Sequence, residues 1–258
     1  MADTQVAEAK STAVANIMDD LFASAGQGMD QIGVEDMQIP FLRILQPLSP
    51  QLLKTDPKGA SAGDIFNTVT GQYWEADTGL TVLVCAYTTK FLEFQLREAG
   101  GNFMGEIEAG HPDIRKTERV GANEMLPSGN ELVRVAQFLV LGVDKDGATT
   151  QMICDMKKTQ MKIAKQWNTK MAGLKIMHPE KGLFNPPMWA VPWKITTVQE
   201  SNDKGSWFNF AVTKMELNDV PVAAQKEAQE MYESFKAGDI KTGTGEKQQT
   251  EEGADVPF

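Results

Sequence analysis

Apolar residues in the middle of the chain follow the pattern of β-strands. Residues 80–87 and 90–96 predict one long, bent strand or a pair of strands. Residues 133–143 and 149–156 predict two further strands. These two flank Asp144–Gly147, whose sequence Asp-Lys-Asp-Gly is typical of a tight turn, so a β-hairpin is expected here.

A helix and a second hairpin are predicted next. The helix covers about residues 157–174, and its apolar residues gather on one side: Ile163, Ala164, Trp167, Met171 and Leu174. Trp167 is therefore expected in the core. Trp189–Gln199 and Ser206–Met215, joined by a turn at 201–205, predict the last two strands.

The order of these elements predicts the fold. One bent strand, two strands, a helix and two strands is the order of the OB-fold, a five-stranded Greek-key barrel with a helix between strands 3 and 4. The sequence therefore predicts a mainly β protein with a few helices (α+β) and an OB-like barrel over residues 78–216. Residues 98–131, rich in Gly, Pro, Asn and charge, are expected to form a long loop within it.

The segments outside the barrel differ from it in composition. Residues 1–36 predict an acidic arm with a short amphipathic helix over 14–22, which either docks on the body or binds a partner. Residues 37–77 contain closely spaced prolines and predict an extended segment that packs on the core. A C-terminal helix is expected within 217–240, and the acidic tail 241–258 is too polar to fold.

Charge is distributed unevenly along the chain. The formal net charge is −10, and residues 1–40 hold seven acids against one base. Residues 156–178, by contrast, contain six lysines and no acid. At about 100° per residue, Lys158, Lys162 and Lys165 lie on one face of the predicted helix, opposite its apolar side. Such a face is suited to a phosphate backbone, although a helix face that is merely solvated would have the same pattern.

Exposed aromatic residues are the second feature expected of a nucleic-acid-binding surface. Alternation along the strands directs Trp207 and Phe91 away from the core, and the turn context of Trp74 also directs it outward. Proteins that bind single strands without sequence preference combine a basic groove with rings on which bases stack. Trp207, Phe91 and Trp74 are therefore candidate stacking residues, and burial in the core is the alternative for each of them.

The sequence contains no recognisable catalytic or metal-binding motif. The two histidines lie in separate predicted loops, and Cys85 and Cys154 stand alone in apolar strands. No phosphate-binding glycine loop and no nucleophile elbow occurs. We therefore expect a binding protein rather than an enzyme, with no metal and no cofactor. Two cysteines, no apolar run long enough for a membrane span and no secretory signal favour a cytoplasmic protein.

The C-terminal tail carries the most specific signal. It is polar and acidic until its last three residues, Val-Pro-Phe. This end resembles the tip of bacterial single-stranded-DNA-binding proteins, in which several acids precede a terminal Asp-Ile-Pro-Phe. Asp255, Val256, Pro257 and Phe258 match that tip, and Glu251 and Glu252 match its acidic approach. Only one acid directly precedes Val256, and the first 75 residues match nothing in the bacterial proteins.

The resemblance implies a function for the whole chain. In the family that it points to, an OB-fold coats single-stranded DNA, the tip docks its Phe ring and carboxylate on replication and repair proteins, and the acidic tail competes with DNA. Residues 39–50 and 62–71 also resemble a phage protein family associated with DNA replication. We therefore expect a bacteriophage single-stranded-DNA-binding protein that acts in the host cytoplasm and that can form a homo-oligomer.

The residues expected to carry this function fall into two groups. The DNA-binding group is Lys157, Lys158, Lys162, Lys165, Lys170, Trp207, Phe91 and Trp74. The tip 255–258 would recruit a polymerase, a helicase-primase or a nuclease. Two alternatives remain open: a virion structural or assembly protein without a DNA-binding role, and a recombination mediator that anneals strands.

Overall fold

The computed structural model describes residues 17–18, 21–29, 37–53, 59–203 and 205–244. The protein is mainly β, with a curled open sheet that forms a half-barrel, so the predicted fold class is confirmed at this level. The chain divides into two units after Gln38. In the first unit, residues 17–18 and 21–23 are helical, as predicted, and Ile17, Met18, Leu21 and Phe22 are all more than half exposed.

Within the described residues, eleven strands form one sheet and two form a separate hairpin. The strands are β1 (Phe41–Ile44), β2 (Ile65–Asn67), β3 (Tyr73–Trp74), β4 (Leu80–Phe94), β5 (Phe103–Ile107), β6 (Glu118–Val120), β7 (Asn123–Met125), β8 (Glu131–Val143), β9 (Thr149–Lys157), β10 (Ile176–His178), β11 (Gly182–Phe184), β12 (Pro192–Asn202) and β13 (Gly205–Lys214). The main sheet has the order β13-β12-β4-β8-β9-β1-β2-β3, with β5 on β4 and the β6–β7 pair on β8. In the second unit the α-helices are α1 (Pro50–Leu53), α2 (Met161–Gly173) and α3 (Val222–Ala237).

The long strands and both long hairpins agree with the sequence. β4 is a single strand, and its register with β8 shifts at a bulge between Val84 and Ala86, which lies before the break expected at residues 88–89. β8 and β9 pair across the predicted turn, where the Asp144 carboxylate accepts the backbone N–H groups of Asp146 and Ala148. The β12–β13 hairpin and the helices α2 and α3 also form where the sequence predicted them.

The expected long loop over residues 98–131 is wrong. This segment contains β5, a 3₁₀ helix at Pro112–Lys116, and the short strands β6 and β7. β5 pairs with the end of β4 that extends past the main core, where the Phe94 and Phe103 rings lie 5.5 Å apart and Lys90 forms an ion pair with Glu106. Strands of three to five residues are too short to show a clear alternation, and this is why the pattern did not reveal them.

Each face of the sheet is covered by a helix. One face, with Val84, Phe138, Cys154 and Trp193, packs against α2, and the other, with Leu139 and Ile153, packs against α3. The α2 side is centred on three rings. Trp167 lies 4.6 Å from Phe138 and 6.0 Å from Trp193 between ring centroids, so the expectation that Trp167 is a core residue is confirmed.

A side chain joins the segment after β1 to the edge strand β13. The side-chain amide of Gln46, just after β1, donates a hydrogen bond to the backbone oxygen of Phe208 on β13. It also accepts a hydrogen bond from the backbone N–H of Phe208, and both hydrogen bonds are 2.9 Å long. The amide therefore replaces the hydrogen bonds that a neighbouring strand would make. Beside it, the Phe208 ring lies against Gly63, where a Cβ would come within 2.7 Å of the ring. Gly63 also has φ +101°, so glycine is required here for two reasons.

We expect Gln46→Leu to lower the free energy of unfolding by about 1–3 kcal/mol, because it leaves the N–H and C=O groups of Phe208 without partners. Urea unfolding followed by circular dichroism measures this difference. Gln166→Leu, at an exposed position of α2, is the matched control and should change little. Equal stability of the two variants would mean that the Gln46 amide does not hold β13.

Candidate nucleic-acid interface

The exposed side of α2 is the most basic surface element that the sequence predicted. The helix buries Ala164 and Trp167 and exposes Lys162 and Lys165 on its other side. Neither ammonium group has a hydrogen bond or an ion pair to any residue that the structure describes. Both ammonium groups are therefore available to an anion.

Two further lysines border this pair and are held by the protein. Lys158 opens the 3₁₀ turn that precedes α2, with φ +50°, and its ammonium lies 3.1 Å from the Glu131 carboxylate. Lys170, near the other end of α2, donates to the backbone oxygen of Val212 on β13 at 3.2 Å. These contacts fix the two ends of the lysine face, which we define as Lys158, Lys162, Lys165 and Lys170.

Lys157 is not part of the lysine face. It is paired with Val135 in the β8–β9 ladder, whereas its neighbour Met156 points to the core beneath α2. Successive side chains of a strand point to opposite faces, so Lys157 lies on the other side of the sheet. There its ammonium lies over the Phe94 ring, 5.7 Å from the centroid.

A small basic cleft continues the lysine face between α2 and β13. It has a volume of about 370 Å³, and three lysines line it, Lys170, Lys175 and Lys214, together with Trp193 and Thr213. Its lining contains no carboxylate. Lys214 also forms an exposed ion pair with Glu216 at 3.2 Å. Sequence reasoning did not single out Lys214, because only the β12–β13 register brings it opposite Trp193 and next to α2.

The three candidate stacking residues do not form one platform. Trp207 is half-buried on β13 opposite Glu200, and its indole N–H is buried with no partner among the described residues. Phe91 is half-buried on β4, opposite Arg134. Trp74 packs against the core on the α2 side of the sheet and is also half-buried, so the expectation that it points fully outward is not met.

Phe91 and Trp74 lie near opposite ends of β4. Trp74 lines a cleft with Leu80, the first residue of that strand, and Phe91 comes eleven positions later. At about 3.3 Å per residue this is roughly 36 Å along the strand. Trp207 is closer to the Trp74 end, because the N–H of Thr197 on its hairpin bonds to the backbone oxygen of Ala76.

The cysteines and the metal-ligating side chains of the described residues were predicted to stand apart from one another. Burial raises the pKa of the Cys85 thiol to about 12 and also raises the pKa of Cys154, so neither is a thiolate at neutral pH. No cluster of three metal-ligating side chains occurs among these residues. In the same part of the chain, no helix combines the length and the apolarity that a bilayer crossing requires.

The tip 255–258 and its acidic approach lie outside the described residues. The last described segment is anchored on the sheet, where the Gln137 side-chain amide donates to the backbone oxygen of Gly243 at 3.0 Å. Gln137 also donates to the Asp155 carboxylate on the neighbouring strand β9. The tail therefore starts from a fixed point on the α3 side of the sheet.

Comparison with known protein families identifies a match. Residues 7–241 match the family described as Pam3 phage gp34-like protein. The match includes all the strands and helices named above and ends before residues 242–258. No curated protein and no solved structure matches the chain.

Proposed function

The chain belongs to the family of Pam3 phage gp34-like proteins, which makes it a phage protein, and we propose that it binds single-stranded DNA through α2 and β13. The lysine face is the observation that carries this proposal. It lies in a segment with six lysines and no acid, in a chain with net charge −10. Each ammonium that meets a phosphate also releases a condensed counterion, which favours binding to a polyanion.

The strand connections support an OB-like barrel as the scaffold. β4 pairs with both β8 and β12. β8 and β9 form one hairpin, β12 and β13 form another, and α2 comes between β9 and β12. The OB-fold has the same order of elements. Where that barrel would close, β1 pairs with β9 and Gln46 reaches β13. We therefore interpret the half-barrel as an OB-like sheet with one inserted strand.

A single strand fits this surface better than a duplex does. Trp207 is half-buried on the strand that α2 contacts, and its N–H lacks a partner among the described residues. A base stacked on such a ring contributes about 1–3 kcal/mol, and only unpaired bases expose their faces. In this proposal the lysine face follows the phosphates, and the strand reaches Trp207 by passing over the edge strand β13, because Phe208 packs on the α2 side and Trp207 therefore points to the other face.

The tail has a separate role in the proposal. Asp255–Phe258 would recruit a replication protein by its Phe ring and carboxylate, and Glu251 and Glu252 would repel DNA from the tip. The resemblance of this end to the bacterial proteins supports this role. Removing the last four residues should leave the affinity for DNA intact and abolish capture of a polymerase, helicase-primase or nuclease.

Titration with poly(dT) tests the proposal. We expect quenching of tryptophan fluorescence, because Trp207 and Trp74 are half-exposed whereas Trp167 and Trp193 are buried. Four phosphate contacts on the lysine face would give a slope of about −3 for log K against log salt. If poly(dT), duplex DNA and RNA all leave the fluorescence unchanged at low salt, the proposal is wrong.

A second candidate is a structural or assembly protein of the virion. The β10–β11 hairpin favours it, because Met177 and Leu183 face each other across the pair and are each 64% exposed. Apolar side chains exposed in this way are often covered by another protein. The copy number in purified particles separates the two candidates, since a replication protein should be nearly absent there.

A further inference from the structure

A second cleft of the described residues lies away from the lysine face. It has a volume of about 840 Å³ and is bordered by β3, the start of β4, the β8–β9 turn and the segment before α3. Lys194 of β12 lines it. Its neighbour Trp193 points to the core beneath α2, so Lys194 points to the opposite face of the sheet. The cleft is therefore separate from the surface assigned above to DNA.

The ammonium groups of two lysines in this cleft lack a partner among the described residues. Lys194 is half-buried, and neither its side chain nor that of Lys145 in the β8–β9 turn has a hydrogen bond or an ion pair to these residues. Burial lowers the pKa of Lys194, and the positive charge of Lys145 lowers it further. A partly desolvated ammonium next to a second one is unfavourable unless an anion joins them.

The acids of the cleft do not meet this need. Glu75, Asp144, Asp146 and Asp219 line it, but none of them is within 4 Å of either ammonium. Three of these carboxylates accept hydrogen bonds within their own turns: Glu75 from Thr78, Asp144 from Asp146 and Ala148, and Asp219 from Glu216. The acids are thus used to shape the turns around the cleft.

Two aromatic rings complete the cleft. Tyr73 and Trp74, which form β3, both line it, and Trp74 is half-buried against the core. Packing on one side holds the indole in place and leaves the cleft side accessible. A fixed ring beside two ammonium groups matches a ligand that has a planar ring and a phosphate. A nucleotide has both.

We propose that this cleft binds a nucleotide, with its phosphate between Lys145 and Lys194 and its base against Trp74. The ligand is either a free nucleotide or a nucleotide unit of a strand, since both present the same groups. The assignment does not depend on the lysine face, because the two surfaces lie on opposite sides of β12. The proposal assigns Lys145 and Lys194 to phosphate binding. Neither side chain is needed to form the β8–β9 turn or the strand β12.

Calorimetric titration with 2′-deoxyadenosine 5′-monophosphate tests this proposal on the full chain. We expect binding that Lys194→Met and Lys145→Met each weaken at least about tenfold, the loss of one charge-assisted hydrogen bond. Lys226→Met, at an exposed lysine of α3, is the matched control and should bind as the native chain does. Deoxyadenosine, which lacks the phosphate, should bind at least about tenfold more weakly, and Trp74→Phe should remove the accompanying tryptophan quenching.

The outcomes separate the two sources of the ligand and the two proposals. If the mononucleotide does not bind but Lys194→Met weakens binding of a short oligonucleotide, the ligand is a strand. If Lys194→Met changes the binding of neither the mononucleotide nor the oligonucleotide, the cleft is not a nucleotide site. The same holds if the mononucleotide binds to both lysine variants as well as it does to the native chain. Lys162→Glu combined with Lys165→Glu should leave mononucleotide binding unchanged, so the mononucleotide titration tests the cleft independently of the lysine face.

Discussion

Lys162→Glu combined with Lys165→Glu should weaken binding to poly(dT) by more than about 25-fold at about 0.1 M salt. Each phosphate contact with a single strand contributes about 0.7 to the slope of log K against log salt, which is about fivefold per contact at this salt concentration. Two lost contacts give about 25-fold, and the new negative charges add repulsion. The slope itself should become shallower by about 1.4.

The matched control is Lys181→Glu combined with Lys226→Glu. It makes the same change in net charge at two exposed lysines outside α2, one in the β10–β11 turn and one on α3. Both double variants should keep the native circular dichroism spectrum, because all four side chains are exposed. Equal losses of affinity in the two variants would show that binding follows net charge and not the lysine face.

Trp167→Ala should lower the free energy of unfolding by about 3–5 kcal/mol, the usual range for removing a large buried aromatic side chain. Trp167 is 1% exposed and touches both Phe138 and Trp193, so its loss leaves a cavity between α2 and the sheet. Urea unfolding measures the change. We also expect weaker DNA binding, because the lysine face would no longer be held against β13.

Trp167→Phe is the informative companion variant. The indole N–H of Trp167 is buried without a partner among the described residues, so phenylalanine removes an unsatisfied donor while keeping most of the ring contact. Its destabilisation should be well below that of the alanine variant. If the alanine and phenylalanine variants unfold at the same urea concentration, packing of this ring does not set the stability of the α2 side.

The sequence was most informative where one segment carries one regular pattern. β8 is a nearly continuous apolar run, as expected of a strand covered on both faces, and the Asp-Lys-Asp-Gly turn defined its hairpin. The amphipathic pattern of α2 likewise predicted Trp167 in the core and Lys162 outside it. In these segments local pattern and tertiary packing agree.

Sequence reasoning was least informative where contacts between distant segments decide the outcome. Lys157 belongs to the same lysine-rich run as Lys158, yet the last residue of β9 and the first of the following turn lie on different faces. Trp74 sits in a strand of two residues, whose alternation is too short to interpret. Lys194 lies in β12, where the sequence pattern predicted only the apolar face of the strand. No pattern along the chain predicts that Lys145 lies near Lys194.

Because α2 and α3 cover the two faces of the same sheet, this protein has no open strand surface at its centre. Members of the OB-fold class commonly hold their ligands on the face of strands 2 and 3. In the proposed OB-like scaffold these strands would be β8 and β9, whose Leu139 and Ile153 lie beneath α3. A ligand can then be held only around the perimeter of the sheet, by helix side chains, edge strands and turns. The perimeter is also where side chains can be exchanged without disturbing the core, so recognition in this fold can change while its stability is retained.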